Sequence, residues 1–193
     1  MRNILTIAAL YTLAVPVAAQ TAQPAQGEPT ATFISGPEVG ETAPEFTLPW
    51  ATRDSVGPAD APFRLAHQRG KVVVLAFYPR DFTSGCTAEM RTFTEQYDLL
   101  FGEGVEVVGI SVDSLTTHVG FAASLKVPFK LLSDPAQTVA KRYGSSGSQG
   151  SMRRTVYVID GEGRITYRNL RFGALDRRSY DELKAAVREA RGS

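Results

Sequence analysis

The stretch Val72-Val73-Val74-Leu75-Ala76-Phe77-Tyr78-Pro79-Arg80-Asp81-Phe82-Thr83-Ser84-Gly85-Cys86-Thr87-Ala88-Glu89 decides the fold. Its first six residues are an unbroken apolar run, rich in β-branched side chains, of the kind a strand buried on both faces uses. Beyond it, Met90, Phe93, Tyr97 and Leu100 recur three and four residues apart, the period of one helical face. Thr83 or Ser84 can cap that helix, which puts Cys86 in or near its first turn. Unpaired backbone N–H groups and the positive end of the helix dipole gather there, and both favour a thiolate. Cys86 is the only cysteine in 193 residues.

Working outward, residues 1–19 read as a secretory signal peptide. Arg2 supplies the charged start, Ile4 to Val15 the apolar centre, and Val17-Ala18-Ala19 the small residues of a cleavage site. The run is short for a membrane span and contains Pro16, and no neighbouring cysteine could carry a lipid. The chain is therefore expected to be periplasmic or secreted, and free of the membrane after cleavage. Cleavage lowers the basic residues from 21 to 20 against 20 acids, a balance with no nucleic-acid footprint. Residues 20–36, rich in Thr, Ala, Gln, Pro and Gly and with few bulky apolar residues, read as a flexible linker. Residues 37–193 form the expected single domain.

Within that domain, Gly40 to Leu48 reads as an extended segment or short edge strand, and residues 51–62 as a surface loop. Phe63 and Leu65 return the chain to the sheet. Val105 to Val112 is a second buried strand, Thr116 to Lys126 a helix, and Pro128 to Leu132 a short strand. Asp134-Pro135 is expected to open a further helix, with Pro135 at its first position and Gly144 as its left-handed cap. Asp160-Gly161-Glu162-Gly163 between two apolar runs signals a hairpin, and Tyr180 to Ala190 is the closing helix. Strands alternating with helices, plus one late hairpin, indicate an α/β domain with a mixed sheet.

A lone cysteine is more often packing than chemistry. Yet an odd exported cysteine is either intermolecular or a free reactive thiol, and this one sits at a strand-to-helix junction, where sites gather in α/β folds. No second cysteine makes a dithiol motif. With only His67 and His118 beside Cys86, a metal centre is not expected. Neither histidine has an acid next to it in sequence, and His118 reads as a surface or capping residue.

Pro79-x-x-x-Thr83-x-x-Cys86 resembles the active-site motif of the peroxiredoxins, the AhpC/TSA superfamily. Gly40-x-x-Ala43-Pro44-x-Phe46-x-Leu48, Gly70-Lys71-Val72-Val73-Val74, Gly109-Ile110-Ser111-Val112-Asp113 and Leu131-Leu132-Ser133-Asp134 follow the family pattern in order. Arg154 to Asp160 looks like the family's arginine strand, and Cys86-Thr87-Ala88-Glu89 looks most like the Q-type, bacterioferritin-comigratory branch. The resemblance covers residues 37–190.

It implies a thioredoxin-like fold and a thiol peroxidase without metal or organic cofactor, acting on hydrogen peroxide and organic hydroperoxides. Cys86 would attack the O–O bond as a thiolate and become a sulfenic acid. Bringing a thiol from about 8.5 to about 6 requires roughly 3 kcal/mol, more than the ~0.3–1 kcal/mol of a helix terminus. The resemblance assigns the remainder to Arg154, which also polarises the peroxide; an ordinary strand-end ion pair is its other reading, and Arg153 lies beside it. Thr83 would hydrogen-bond the sulfur and the peroxide oxygen, and Pro79 would shield the pocket from water. Glu89 is either an arginine partner or a plain helix-surface carboxylate. Many Q-type members carry a resolving cysteine five residues on, where this chain has Arg91. The resemblance therefore implies the one-cysteine form, a monomer or weak dimer re-reduced by an external thiol, either a thioredoxin-like protein or a low-molecular-weight thiol. An exported redox sensor or binding protein acting through a mixed disulfide at Cys86 is the alternative; the missing second cysteine disfavours a disulfide reductase or a copper chaperone.

Overall fold

A computed structural model describes residues 35–148 and 150–192. The expected signal peptide lies outside these residues, as does nearly all of the expected linker. The apolar run forms β4 below as the axis of a six-stranded sheet. In chain order the strands are β1 (Thr47–Leu48), β2 (Trp50–Ala51), β3 (Phe63–Arg64), β4 (Val72–Phe77), β5 (Val105–Ser111), β6 (Lys130–Ser133), β7 (Thr155–Ile159) and β8 (Ile165–Asn169). The helices are α1 (Ser84–Glu95), α2 (Tyr97–Leu100), α3 (Leu115–Leu125), α4 (Thr138–Arg142) and α5 (Arg177–Ala190). The sheet order is β2-β6-β5-β4-β7-β8, while β1 and β3 pair separately. β4 runs parallel to β5 and antiparallel to β7, so the sheet is mixed.

All six residues of β4 are buried. Val72, Val74, Ala76 and then Tyr78 enter one core with Met90, Phe93, Phe121, Leu183 and Val187, on the side of α1, α3 and α5. Val73, Leu75 and Phe77 enter the other with Phe46, Phe63, Val139 and Tyr143, beneath α4 and the β1–β3 pair. Alternate side chains of a strand point to opposite faces, so a continuous apolar run is what two covered faces demand. A mixed sheet covered by helices is the thioredoxin-like arrangement.

Three local expectations are corrected. The helix after the cysteine stops at Gln96 (φ −112°, ψ 23°), so Tyr97 and Leu100 belong to α2 rather than to one continuous face. The helix expected at Pro135 starts only at Thr138, because Gln137 is left-handed (φ 53°). The Asp134 carboxylate reaches past that turn and accepts from the N–H groups of Thr138, Val139 and Ala140, each at 2.9 Å. Gly144 does take the left-handed conformation (φ 62°). Finally, His118 is not on the surface: it is wholly buried, for reasons given below.

Candidate active site

The site forms where β4 ends and the chain turns into α1, on the carboxyl side of the parallel strands, where α/β sheets place ligands. Thr83 is the residue before the first helical one, with extended backbone (φ −80°, ψ 150°). Its side chain makes no cap; the hydroxyl donates to the Arg80 carbonyl at 3.0 Å. The expected hydroxyl cap is therefore not made, nor is a bond from Thr83 to the sulfur. Cys86 is the third helical residue, fully buried against Tyr78, Met90 and Phe93. Pro79 is half-buried where the chain leaves the strand.

Arg154, just before β7, reaches across to α1. Its Nη2 donates to Cys86 Sγ at 3.3 Å and its Nη1 to Glu89 Oε2. Glu89 is fully buried, so the helix-surface reading fails. Arg153 is directed elsewhere, onto the Gly144 carbonyl. Gly85 makes room for the guanidinium: a Cβ there would lie 3.1 Å from Arg154 Nη2.

Burial lifts the Glu89 carboxyl to about 7, a rise that Arg154 opposes. For Arg154, burial works against the charge, but Glu89 and Cys86 outweigh it and the net shift is upward. The guanidinium is thus a fixed cation between two acids.

A second polar cluster holds the loop from below. The Asp81 carboxylate accepts from the Tyr78 hydroxyl at 2.7 Å and meets His118 Nδ1 at 2.8 Å, while His118 Nε2 faces the Leu132 carbonyl at 3.2 Å. The Asp81 N–H donates to Asp113 Oδ2 at 2.8 Å, and Ser111 Oγ donates to the same oxygen at 2.7 Å. Burial, and then Asp81, push the Tyr78 hydroxyl well above its usual range, so it remains a donor. Sequence reading missed this cluster. The acid that partners His118 is 37 residues away from it, so no local pattern announces the pair. Phe82, on the same loop, has φ 59° and is 60% exposed, its ring edge-on to Phe121 at 5.1 Å. Among the described residues no group of three His, Cys, Asp or Glu side chains could hold a metal ion.

Comparison with known proteins shows the family. Residues 39–168 match the profile of the AhpC/TSA family. The chain is 38% identical over 136 residues to the peroxiredoxin bcp of Coxiella burnetii, covering 67% of this chain and 85% of that one. It is 41% identical over 134 residues to the chloroplastic peroxiredoxin Q of Sedum lineare, covering 67% and 68% of the two chains. Among solved structures, the peroxidoxin BcpB of Mycobacterium tuberculosis superposes with a TM-score of 0.67 at 29% identity, covering 79% of this chain and 97% of that one. The reduced 2-Cys peroxiredoxin of Plasmodium vivax gives 0.68 at 28% identity, covering 80% and 96%.

Proposed function

The chain belongs to the AhpC/TSA family as a one-cysteine peroxiredoxin of the Q type, and on that premise we propose that Cys86, Arg154 and Thr83 carry its chemistry. The protein is a thiol-dependent peroxidase: a cysteine thiolate reduces hydrogen peroxide or an organic hydroperoxide, becomes a sulfenic acid, and is returned to the thiol by an external thiol. The observation that carries the assignment is the 3.3 Å approach of Arg154 Nη2 to Cys86 Sγ inside the core. Nothing about packing requires a charged guanidinium against a buried sulfur. Stabilising an anion there does.

In the reaction, Cys86 Sγ attacks one peroxide oxygen, the O–O bond breaks, and the leaving oxygen departs as water or an alcohol after gaining a proton. Sulfur loses two electrons to the peroxide, so no metal or organic cofactor is called for. Arg154 holds the thiolate and then the charge that moves onto the leaving oxygen. The Thr83 hydroxyl, now on the Arg80 carbonyl, turns by rotation of its side chain to donate to the sulfur or the peroxide. Pro79, which has no N–H to hold water, closes one wall.

Cys86 is fully buried, so a small peroxide reaches it more easily than a protein thiol. Re-reduction by a thioredoxin-like protein therefore requires the first turn of α1 to open, whereas a low-molecular-weight thiol is the external reductant that makes no such demand. With one cysteine, no internal disulfide forms in its place. We assign residues 1–19 to export and the mature protein to the periplasm or exterior, which the composition of that segment supports, and on the family likeness we take it as a monomer or weak dimer. Trapping oxidised protein with a sulfenic-acid reagent, followed by peptide mapping, tests the assignment. Label on Cys86 in a one-to-one ratio with peroxide supports it, and an unlabelled Cys86 overturns it.

A further inference from the structure

One guanidinium serves two acids. Cys86 and Glu89 lie three residues apart on α1, on one helical face, and Arg154 donates to both. Both acids are fully buried, and the Arg154 side chain is 16% exposed. Glu89 uses only one oxygen: among the described residues Oε1 is buried without a hydrogen-bond partner. Of the titratable groups packed here, Cys86 is on the same helix, Arg154 precedes β7, and Tyr180 comes from α5. The Tyr180 hydroxyl donates to the Ala174 carbonyl at 2.7 Å, and burial with the nearby Glu89 pushes it up to about 12, so it brings no charge. The pocket thus offers one positive charge to two potential anions. Ionising both would leave an uncompensated negative charge out of water, with one carboxylate oxygen unsatisfied.

We propose that Cys86 and Glu89 share a single proton across Arg154, so that the reactive thiolate exists when Glu89 is a neutral carboxylic acid. The proposal rests on the peroxidase reading and adds where its protons go. Activation is internal: Cys86–SH and Glu89–COO⁻ become Cys86–S⁻ and Glu89–COOH, with nothing taken from solvent. On attack, the S–O bond forms and the O–O bond breaks. The leaving alkoxide or hydroxide is neutralised by the proton Glu89 held, and Glu89 becomes the counter-ion of Arg154 once the sulfur is a neutral sulfenic acid. Thiolate, carboxylic acid and peroxide give sulfenic acid, carboxylate and alcohol; atoms and charge balance. Glu89 acts here as the store of the proton that the leaving oxygen receives.

Infrared difference spectra of the full chain, reduced minus peroxide-oxidised, read the proton directly. The expected result is a protonated-carboxyl carbonyl band in the reduced protein that is replaced by a carboxylate band on oxidation. The band is absent in Glu89→Gln, and in Cys86→Ser, where no thiolate competes for Arg154, it gives way to carboxylate at lower pH than in the wild type. Thiolate absorbance of Glu89→Gln against pH should shift at least about one unit to lower pH, since the competing acid is gone. A reduced wild-type protein that forms thiolate with no such band overturns the proposal, and this measurement needs no variant to fold. So does a Glu89→Gln midpoint that moves upward, which marks Glu89 as a mere clamp on Arg154. Rapid oxidation of Cys86 without the band removes the shared proton and leaves the peroxidase standing; no oxidation at all removes both.

Discussion

Arg154 donates to the sulfur of Cys86 at 3.3 Å although 68 residues separate them, because antiparallel pairing of β7 with β4 carries the arginine to the end of the strand that feeds α1. Phe77, the last residue of β4, pairs with Thr155, the first of β7, so Arg154 just before Thr155 lies beside the loop that leaves β4 toward the thiol. The sheet, rather than the loop, sets the distance.

Gly85→Ala tests how tightly that distance is set. The added Cβ would lie 3.1 Å from Arg154 Nη2, closer than an ordinary contact. Alanine is the better helix former by up to about 1 kcal/mol, so folding stability should hold or rise. The peroxide rate should fall about tenfold as the guanidinium is pushed off the sulfur. Denaturant unfolding alongside kinetics checks the split; equal loss of both, or of neither, contradicts it.

His118→Ala should be severe for a residue outside the chemistry. It leaves the buried Asp81 carboxylate with the Tyr78 hydroxyl but without its ring partner. Leaving a buried hydrogen-bonding group without its partner costs about 1–3 kcal/mol. In a double-mutant cycle with Asp81→Asn, the combined loss should be well below the sum of the single losses. Additive losses would show that the two side chains are not coupled.

Glu89 makes stability depend on pH in an unusual direction for a carboxyl group. Burial raises it to about 7 against an ordinary 4.5, with Arg154 opposing. The folded state therefore binds the proton more tightly than the unfolded one. The contribution is fully present below about 4.5 and is lost as pH rises through about 7, by roughly 3 kcal/mol in all. Reduced wild type should lose stability across that window relative to Glu89→Gln; parallel curves for the two proteins would refute the assignment.

Oxidation should loosen the first turn of α1. Cys86 is fully buried, and a protein thiol has no path to it while that turn is closed. Amide hydrogen exchange at Gly85 to Ala88 should quicken in the sulfenic form while β4 stays protected. Unchanged exchange would leave a small thiol as the favoured reductant.

Legibility in the sequence followed range. The run Val72–Phe77 and the Asp160–Gly163 hairpin are written in neighbouring residues and form as read, while the helix after the run forms but ends at Gln96, short of the face that includes Tyr97 and Leu100. The site is written partly at long range. The spacing to Asp160 and the alternation along the strand favour Arg154 over Arg153, but only the resemblance joins it to Cys86. The burial of Glu89 and the Asp81–His118 pair depend on which elements pack together, and a helix-surface reading was as natural for one as a capping reading for the other. The late start of α4 has the same origin, because Asp134 prefers three N–H groups beyond a left-handed Gln137 to a helix begun at Pro135. The Thr83 hydroxyl goes to the Arg80 carbonyl, a choice that spacing in the sequence does not make.

The central claim is that Arg154 makes a buried Cys86 a fast peroxide nucleophile. Stopped-flow mixing of reduced protein with hydrogen peroxide, following intrinsic fluorescence and thiol loss, tests it directly. Rapid one-to-one oxidation is the predicted result, absent in Cys86→Ser and slower by about 10²–10³ in Arg154→Ala. Oxidation of the wild type no faster than that of a free small thiol, or unaffected by loss of Arg154, would contradict the account.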